Sequence, residues 1–179
     1  MKLGNDRHAD IDDIDLHILD LMQENCRMPL AKIGERVGLS APSVLERIKK
    51  LEDGGVVTGY CAVLDARLVG HDVAAFIGVS IGHPRAIAAF ERAVERLDSV
   101  LECHHVTGQH TLLLKVKTRN TSSLESLIST IRSIDGVVRT ETMVVLSTHT
   151  ERTQLALRDR ERPPRRERRN GASHLKRAQ

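Results

Sequence analysis

The densest cluster of reactive side chains in the sequence is one thiol and three imidazoles: Cys103, His104, His105 and His110. Thiolate and imidazole are good ligands for zinc and similar ions, which raises the hypothesis of a metal-responsive protein. Successive side chains of a β-strand point to opposite faces, so Cys103 and His105 share one face and His104 lies on the other. Only two or three of these groups converge without a second subunit, and we assign no metal site.

Motifs of the common enzyme mechanisms are absent from the sequence. It has no Gly-rich phosphate-binding loop, no His-Glu-x-x-His pattern and no paired acids in an identifiable cleft. We therefore predict a protein without catalytic residues and without a cofactor. The three cysteines form no paired motif, and there is neither a charged-then-apolar leader nor an apolar run of about 18 residues. These features predict a cytoplasmic protein with no membrane partner.

A more informative group of polar residues lies between residues 40 and 53. At 100° per residue, the apolar side chains Val44, Leu45, Ile48 and Leu51 form a stripe on one side of a helix, opposite the polar side chains. Ser43 and Glu46 are then placed for the base edges of DNA. Arg47, at the flank, suits either a phosphate or a guanine. The alternative is an ordinary solvated helix face. The predicted DNA contacts are Ser40, Pro42, Ser43, Glu46, Arg47, Lys49 and Lys50.

Two shorter helical patterns precede this helix. Asp12 predicts the N-cap of the first, and Gly38, suited to left-handed backbone, ends the second, which starts at Leu30. The three helices fit a helix-turn-helix, whose last helix enters the major groove of double-stranded DNA. Residues 56–57 and 60–64 predict two short strands, a small wing followed by a linker strand.

After residue 72 the pattern changes to alternating strands and helices. Strands are predicted at residues 73–81, 100–106, 111–117 and 137–146, with one amphipathic helix starting at residues 82–84 and another over 122–134. The order β-α-β-β-α-β is that of the ferredoxin-like fold, a four-stranded antiparallel sheet with both helices on one face.

The predicted fold class is therefore α+β, with four segments along the chain. Residues 1–60 form a winged helix-turn-helix DNA-binding domain, and residues 61–72 form a linker strand and hinge. Residues 73–150 form a ferredoxin-like domain for effector binding and oligomerisation, and residues 151–179 form a basic, disordered tail.

The distribution of charge and the number of aromatic residues indicate which kind of nucleic acid the protein would bind. Residues 158–179 carry nine Lys/Arg and three Asp/Glu, a net charge of +6 in a protein whose total is +3, which leaves −3 for residues 1–157. The tail is either a solvated terminus or a nonspecific phosphate anchor. Only Tyr60, Phe76 and Phe90 are aromatic, which disfavours the base stacking of proteins that bind single strands or RNA loops.

The predicted sheet has a second face that is not simply polar. Leu101, Cys103 and Leu113, or their alternating partners, put apolar groups on both sides of the sheet. A bare apolar sheet face on a small domain is usually covered by another subunit. We therefore expect a homodimer through this domain, with higher assemblies built from it.

Both halves of the chain carry extended motifs. The first half contains Ile14-Asp15-x-x-Ile18-Leu19, Asn25-x-Arg27, Leu30-Ala31-x-Ile33-Gly34-x-x-Val37-Gly38-Leu39-Ser40 and Arg47-Ile48-Lys49-Lys50-Leu51-Glu52-x-x-Gly55-Val56-Val57. The second half contains Val100-Leu101-Glu102-Cys103, Val106-Thr107-Gly108, Leu113-Leu114-Lys115-Val116 and Gly136-Val137-Val138-Arg139-Thr140-x-Thr142. In this order the motifs resemble the Lrp/AsnC (leucine-responsive/asparagine-regulator, feast/famine) family of prokaryotic transcription regulators.

The resemblance implies dimers that assemble into tetramers or octamers and bind amino-acid effectors in clefts between subunits. Family members commonly bind the effector with the loop after the Val-Thr-Gly segment and with threonines of the last strand. The corresponding residues here are Gly108, Gln109, His110, Thr111, Thr140 and Thr142. The competing interpretation is a plain hairpin with threonines of ordinary β-propensity.

One departure from the family concerns the effector. Many relatives have an Asp-Tyr pair where this sequence has Thr111-Leu112, so a carboxylate that would pair with an effector's ammonium group is missing. Either the ligand is held differently, or its identity has changed, or the site is empty.

The sequence thus predicts a sequence-specific DNA-binding regulator of transcription whose assembly or DNA affinity responds to an amino acid or a related carboxylate metabolite. One alternative is an architectural, nucleoid-type DNA-binding protein, which the basic tail and oligomerisation favour. A comparison of specific with nonspecific affinity at one salt concentration separates the two. The metal-responsive regulator is the other alternative.

Overall fold

The computed structural model describes residues 11–157. Their contacts divide them into two compact units, residues 11–60 with 152–157, and residues 61–151. The first unit contains α1 (Asp13–Glu24), α2 (Leu30–Val37) and α3 (Ala41–Asp53). The second contains β1 (Val73–Ile81), a 3-10 turn (Pro84–Ala86), α4 (Ile87–Val94), β2 (Val100–His105), β3 (Leu112–Thr118), α5 (Thr121–Arg132) and β4 (Val137–Val144).

The ends of the first three helices follow from local hydrogen bonds. The Asp12 carboxylate accepts from the backbone N–H of Asp15 at 2.8 Å, and the Asp15 carboxylate accepts in return from the backbone N–H of Asp12 at 3.3 Å. Helix α2 ends at Gly38, whose φ of 73° is in the left-handed region. Ser40 caps α3 by accepting from the backbone N–H of Ser43 at 3.3 Å. The three predicted helices are confirmed.

The turn between α2 and α3 depends on Gly34. A Cβ at this position would clash with the backbone carbonyl oxygen of Leu39, because the turn passes directly over the helix there. The backbone N–H of Leu39 donates to the carbonyl of Gly34 at 3.0 Å and holds this approach. The side chains of Ile18, Ile33, Val44 and Ile48 are buried together beneath it. This packing fixes the orientation of α3.

The predicted wing is wrong, because residues 54–64 contain no strand. The backbone N–H groups of Val56 and Val57 both donate to the carbonyl of Leu51, at 2.9 and 3.2 Å. They therefore cap the end of α3 and are not available for a strand ladder. Tyr60 folds back as well, and its hydroxyl donates to Glu52 Oε1 at 2.7 Å. Burial and the Glu52 carboxylate raise the pKa of Tyr60 to about 12.

In the second unit, the four strands form one antiparallel sheet in the order β2-β3-β1-β4. This is the ferredoxin-like arrangement predicted from the alternation of strands and helices. Its core combines alternate residues of the central strands with the apolar sides of α4 and α5: Ala75, Ile77, Val79, Leu112, Leu114, Val116, Phe90, Val94, Leu124, Leu127 and Ile131.

The opposite side of the sheet is called the open face here. Strand register places Phe76 of β1 beside Lys115 of β3 and Met143 of β4, and Leu113 belongs to the same side because it is paired with Gly78. The expectation of apolar groups on this face is met by Phe76, Leu113 and Met143. Cys103 lies on the helix side instead, because its register partner is the buried Leu114.

The first residues after β4 make specific contacts. Glu151 forms ion pairs with Lys115 at 2.7 Å and with Lys117 at 3.5 Å. Farther on, Gln154 and Leu155 form hydrogen bonds with Gln23 of α1. Disorder was predicted for residues 151–179. Residues 151–157 form the contacts above, and residues 158–179 lie outside the described part of the chain.

Candidate nucleic-acid interface and effector site

Helix α3 presents a mixed surface of charged and small side chains. Pro42, Glu46, Lys49 and Lys50 are exposed along it, while Val44, Ile48 and Leu51 are buried. The lysines offer the positive charge that phosphates attract, and Glu46 offers an acceptor that suits a cytosine amino group. The helix therefore has the surface chemistry of a recognition helix.

The two predicted serine contacts are both engaged in the N-cap of α3. Their hydroxyl oxygens lie 2.9 Å apart, and Ser40 Oγ also accepts from the Ser43 backbone N–H. Ser43 is half-buried and Ser40 is exposed. Each hydroxyl retains a second hydrogen-bonding capacity. The pair can thus hold the first turn of α3 in shape while it offers one further hydrogen bond.

Arg47, another of the predicted DNA contacts, forms ion pairs within the chain. Its Nη1 lies 2.7 Å from Asp12 Oδ2 and 2.7 Å from Asp15 Oδ1, so the guanidinium is held at the start of α1. The side chain of Asp15 is fully buried. Hydrogen bonds to Asp12 and Asp15 raise the pKa of Arg47, and the Asp15 backbone N–H together with Arg47 lowers the pKa of Asp12. A helical projection cannot reveal this partner, because the partner lies in another helix.

Leu45 was predicted to be in the buried stripe, but it is 40% exposed. It lies one position before Glu46 and at the edge of the exposed side of α3. Apolar side chains in the major groove contact the methyl group of thymine. Sequence reasoning missed Leu45 because an apolar residue next to a buried stripe is normally counted as core.

The loop between β2 and β3, residues 106–111, is held against β1 by Thr111. The Thr111 backbone N–H donates to the carbonyl of Val79 at 2.9 Å, and its Oγ1 accepts from the backbone N–H of Ile81 at 3.1 Å. Gly108 adopts φ 119°, which favours glycine. The hydroxyl of Thr111 therefore has a structural partner, and the following Leu112 is fully buried in the core. Neither residue replaces the missing carboxylate.

His110 lies flat on β1 at Gly78. A Cβ on Gly78 would come within 2.6 Å of the imidazole Cγ and Nε2, so only glycine leaves room for the ring. His110 Nε2 is 3.5 Å from Glu141 Oε2 on β4. Its Nδ1 is buried and has no hydrogen-bond partner within residues 11–157. Glu141 was missed in the sequence analysis, although strand alternation between Thr140 and Thr142 places it on the other side of the sheet from them.

The two predicted threonines lie on the helix side of the sheet. Thr140 is paired with Val79 and Thr142 with Ile77, both of which are core residues, and both threonines are half-buried. His110 and Glu141 lie on the open face. Within one chain, the predicted effector residues thus form two groups on opposite sides of the sheet.

The cluster of cysteine and histidines is also divided. His104 bonds to Glu102 at 2.9 Å on the open face, whereas Cys103 is on the helix side. Desolvation and the nearby Glu91 raise the pKa of the Cys103 thiol, which disfavours the thiolate that a metal needs. Over residues 11–157, no three His, Cys, Asp or Glu side chains are grouped as metal ligands. No helix in the same range is long and apolar enough to cross a membrane.

The two units match two family models. Residues 11–52 match the AsnC-type helix-turn-helix domain, and residues 74–155 match the Lrp/AsnC ligand binding domain. A helix-turn-helix followed by a ferredoxin-like domain defines a class of two-domain transcription regulators. Because the matched stretches cover most of the chain, it belongs to the Lrp/AsnC family.

Curated relatives and solved structures agree with this assignment. An HTH-type transcriptional regulator of Pyrococcus abyssi is 32% identical over 83% of this chain and 97% of its own length. The leucine-responsive regulatory protein of Escherichia coli is 32% identical over 84% of this chain and 94% of its own length. A transcriptional regulator of Neisseria meningitidis, solved as an L-Met complex, is 34% identical with a TM-score of 0.78, over 82% of this chain and 97% of that one.

The function class follows from the family. Its members are regulators of transcription and not enzymes, so the chain is a transcriptional regulator, as the sequence predicted.

Proposed function

We propose that the protein binds operator DNA with the exposed side of α3 and that an amino acid or a related carboxylate metabolite changes its assembly or its DNA affinity. The observation that carries the first part is the exposed row of Glu46, Lys49 and Lys50 on a helix held by α1 and α2. Lys49 and Lys50 contact phosphates, and Ser43, Glu46 and Leu45 face the bases. Arg47, at the flank of α3, is held by Asp12 and Asp15 and does not contact DNA.

The effector part is supported by the loop at residues 106–111 and by two relatives. The regulators of Neisseria meningitidis and Mycobacterium tuberculosis have been solved with L-methionine. In this chain the loop offers Gly108, Gln109 and His110, and Glu141 supplies a carboxylate next to His110. This carboxylate takes the role of the missing loop acid and pairs with the ammonium group of the ligand.

A second copy of the chain is the proposed partner of the open face. The centre of this face is apolar, with Phe76 and Leu113 half-buried and Met143 44% exposed. Beside it, Lys115 is already paired with Glu102 at 3.0 Å and with Glu151 at 2.7 Å. A face whose charges are satisfied within the chain suits an apolar, self-complementary contact. The resulting dimers assemble into tetramers or octamers.

Selection of bound sequences from a random duplex library tests the DNA part. We expect one consensus for the wild type, a changed preference at one base position for Glu46→Gln, and an unchanged consensus with lower affinity for Lys50→Ala. Loss of one phosphate contact makes the fall of log K with log salt less steep, by about one unit of slope. A library that yields no consensus for the wild type, with affinity set by salt alone, overturns the proposal in favour of an architectural DNA-binding protein.

A further inference from the structure

Strand β2 forms one edge of the sheet, and its outer side carries unpaired backbone groups. In the sheet order β2-β3-β1-β4, the described residues place a neighbouring strand only on the β3 side of β2. Directly after β2, the backbone N–H of Val106 donates to the carbonyl of Thr111 at 3.2 Å and continues the ladder with β3. Bonded residues alternate along an antiparallel strand, so Cys103 and His105 direct their N–H and C=O groups outward. Strand β2 thus offers the donors and acceptors of an open sheet edge.

The side chains along this edge are complementary to those of a second copy of the same strand. An antiparallel pairing of two β2 strands about Cys103 sets Glu102 of each copy opposite His104 of the other. Within one chain these two side chains bond at 2.9 Å, so they extend on the same face of the sheet. The same register sets Leu101, which is 51% exposed, opposite His105. The pairing therefore brings a carboxylate beside an imidazole twice and sets no like charges opposite each other.

The edge adjoins a groove that has room for the side chains of a further strand. The groove lies between β2 and α4 and has a volume of about 540 Å³. Leu101 and Cys103 line it from the strand, and Glu91 lines it from the helix. The side chains of a second β2 that share the face of Cys103 would lie along this groove. The edge can therefore receive both the backbone and the side chains of the second copy.

We propose that the β2 strands of two copies pair antiparallel about Cys103, which joins two dimers through one continuous sheet with four strands from each copy. The inference rests on the proposed open-face dimer for the size of the assembly. A strand added at β2 extends the sheet within its own plane, whereas a copy on the open face lies above that plane, so the two contacts use different copies. The other edge, on β4, is less suited, because Glu141 there faces His110 in the proposed effector site.

The exposed thiol of Cys103 is a natural reporter of this register. Two residues that exchange both backbone hydrogen bonds across an antiparallel pair have Cα atoms about 5.5 Å apart, within the range of a disulfide. The test protein is the full chain with Cys26→Ser and Cys61→Ser, which leaves Cys103 as its single cysteine. The matched control also carries Cys103→Ser and His105→Cys, so its two thiols would be about 14 Å apart along the paired strands. We expect mild oxidation with diamide to link two chains of the test protein and to leave the control unlinked.

Charge changes at position 104 test the contact through the assembly of the full chain. His104→Glu would set carboxylates opposite each other twice, so we expect the dissociation constant for joining two dimers to rise by about tenfold or more in sedimentation equilibrium. His104→Lys, the matched control, keeps opposite charges across the pairing and should stay within about threefold of the wild type. Glu102→Lys combined with His104→Glu reverses both charges and should restore the assembly. The dimer itself should be unchanged in all three variants.

Assembled protein that forms no link through Cys103, or links equally well through His105→Cys, would overturn the proposal. Equal losses from His104→Glu and His104→Lys would overturn it as well, because position 104 would then act through the fold of its own chain. A link through Thr140→Cys, with none through Cys103, would assign the contact to β4 instead. Failure of the open-face dimer has a different result: Met143→Lys would leave the assembly unchanged, while Cys103 would still link two chains.

Discussion

Arg47 on α3 and Asp15 on α1 form an ion pair of 2.7 Å whose carboxylate is fully buried, while the arginine side chain stays 29% exposed. Asp12, the N-cap of α1, shares the same Nη1 at 2.7 Å. One guanidinium thus joins the start of the first helix to the middle of the third. The pair holds α3 against α1 from the flank of α3, so a basic residue of the proposed recognition helix has a structural role within the chain.

The first prediction is that Arg47→Ala destabilises the helix-turn-helix but leaves the salt slope of DNA binding unchanged. Removal of one partner from a buried ion pair costs about 3 to 5 kcal/mol, and the exposure of Arg47 reduces the expected loss to about 2 kcal/mol. Urea denaturation measures the loss, and Arg36→Ala, an exposed arginine of α2, is the control with an expected change under about 0.5 kcal/mol. Unchanged stability, together with a salt dependence of DNA affinity that is shallower by about one unit of slope, would show instead that Arg47 binds a phosphate.

The second prediction concerns the stability of the folded chain at acidic pH. The Asp15 backbone N–H and Arg47 lower the pKa of Asp12 below its ordinary value of 3.8 in the folded state. The folded chain therefore binds fewer protons than the unfolded chain in this range, and the stability that Asp12 provides is present above pH 3.8 and is lost as pH falls through the folded pKa.

Asp12→Asn keeps an N-cap acceptor and removes the titration. We expect the free energy of unfolding of this variant to fall less steeply than that of the wild type as pH decreases from about 5 to about 3. Glu151→Gln, at a carboxylate of the other unit whose pKa Lys115 lowers, should also flatten the acid profile and serves as the positive control. Identical acid profiles of Asp12→Asn and the wild type would contradict the assignment.

Much of this architecture follows from sequence signals that act locally. Asp12, Ser40 and Gly38 mark helix ends through hydrogen bonds or backbone angles that involve only neighbouring residues, so their positions were predicted correctly. The prediction of a wing was wrong. Val56 and Val57 are residue types that favour strands, but their backbone N–H groups donate to the Leu51 carbonyl. Residue type alone does not determine which acceptor a backbone N–H group will bond.

The candidate sites show the same division between local and distant determinants. The exposure of Glu46 and Lys49 follows from helical periodicity, but the partners of Arg47 are more than 30 residues away. His110 was predicted as a site residue, whereas its contact with Glu141 depends on strand order and on the space above Gly78. A glycine inside a strand pattern was the available signal for that close approach.

The third prediction is that Met143→Lys dissociates the proposed dimer. Met143 is paired with Phe76 at the apolar centre of the open face, so a lysine would bury an unpaired charge against the second copy. We expect the dimer dissociation constant to rise by about 30-fold or more, measured by sedimentation equilibrium. Glu125→Lys, an exposed change on α5 at the other side of the sheet, should leave it unchanged. A Met143→Lys protein that assembles like the wild type would place the dimer contact elsewhere.

The last prediction concerns the effector and uses the division of its predicted residues between two faces. Thr140 and Thr142 lie on the helix side of the sheet, and His110 with Glu141 lies on the open face. One small ligand cannot touch both groups of the same chain, because the sheet separates them. A ligand that depends on both must therefore bind between two subunits, with one group from each, at a contact other than the one between two open faces.

Calorimetry with amino acids and keto acids identifies the ligand, and two variants then test its position. We expect His110→Ala alone, and Thr140→Val combined with Thr142→Val, to weaken binding separately. In an equal mixture of the two variants with free subunit exchange, one two-subunit site in four combines the intact His110 of one variant with the intact threonines of the other. About a quarter of the sites should therefore recover wild-type affinity. Loss of binding in only one variant, or no recovery on mixing, would place the site within one subunit.

Operator DNA provides the thermodynamic control on the same measurement. If the ligand changes operator affinity by some factor, operator must change ligand affinity by the same factor, typically about five- to 150-fold for such couplings. Titration of the ligand into protein with and without operator measures this factor directly. A ligand that binds at the site with no such reciprocity has no differential affinity for the two states and is not the effector. A screen in which no amino acid or keto acid binds would leave the second unit with a role in assembly alone.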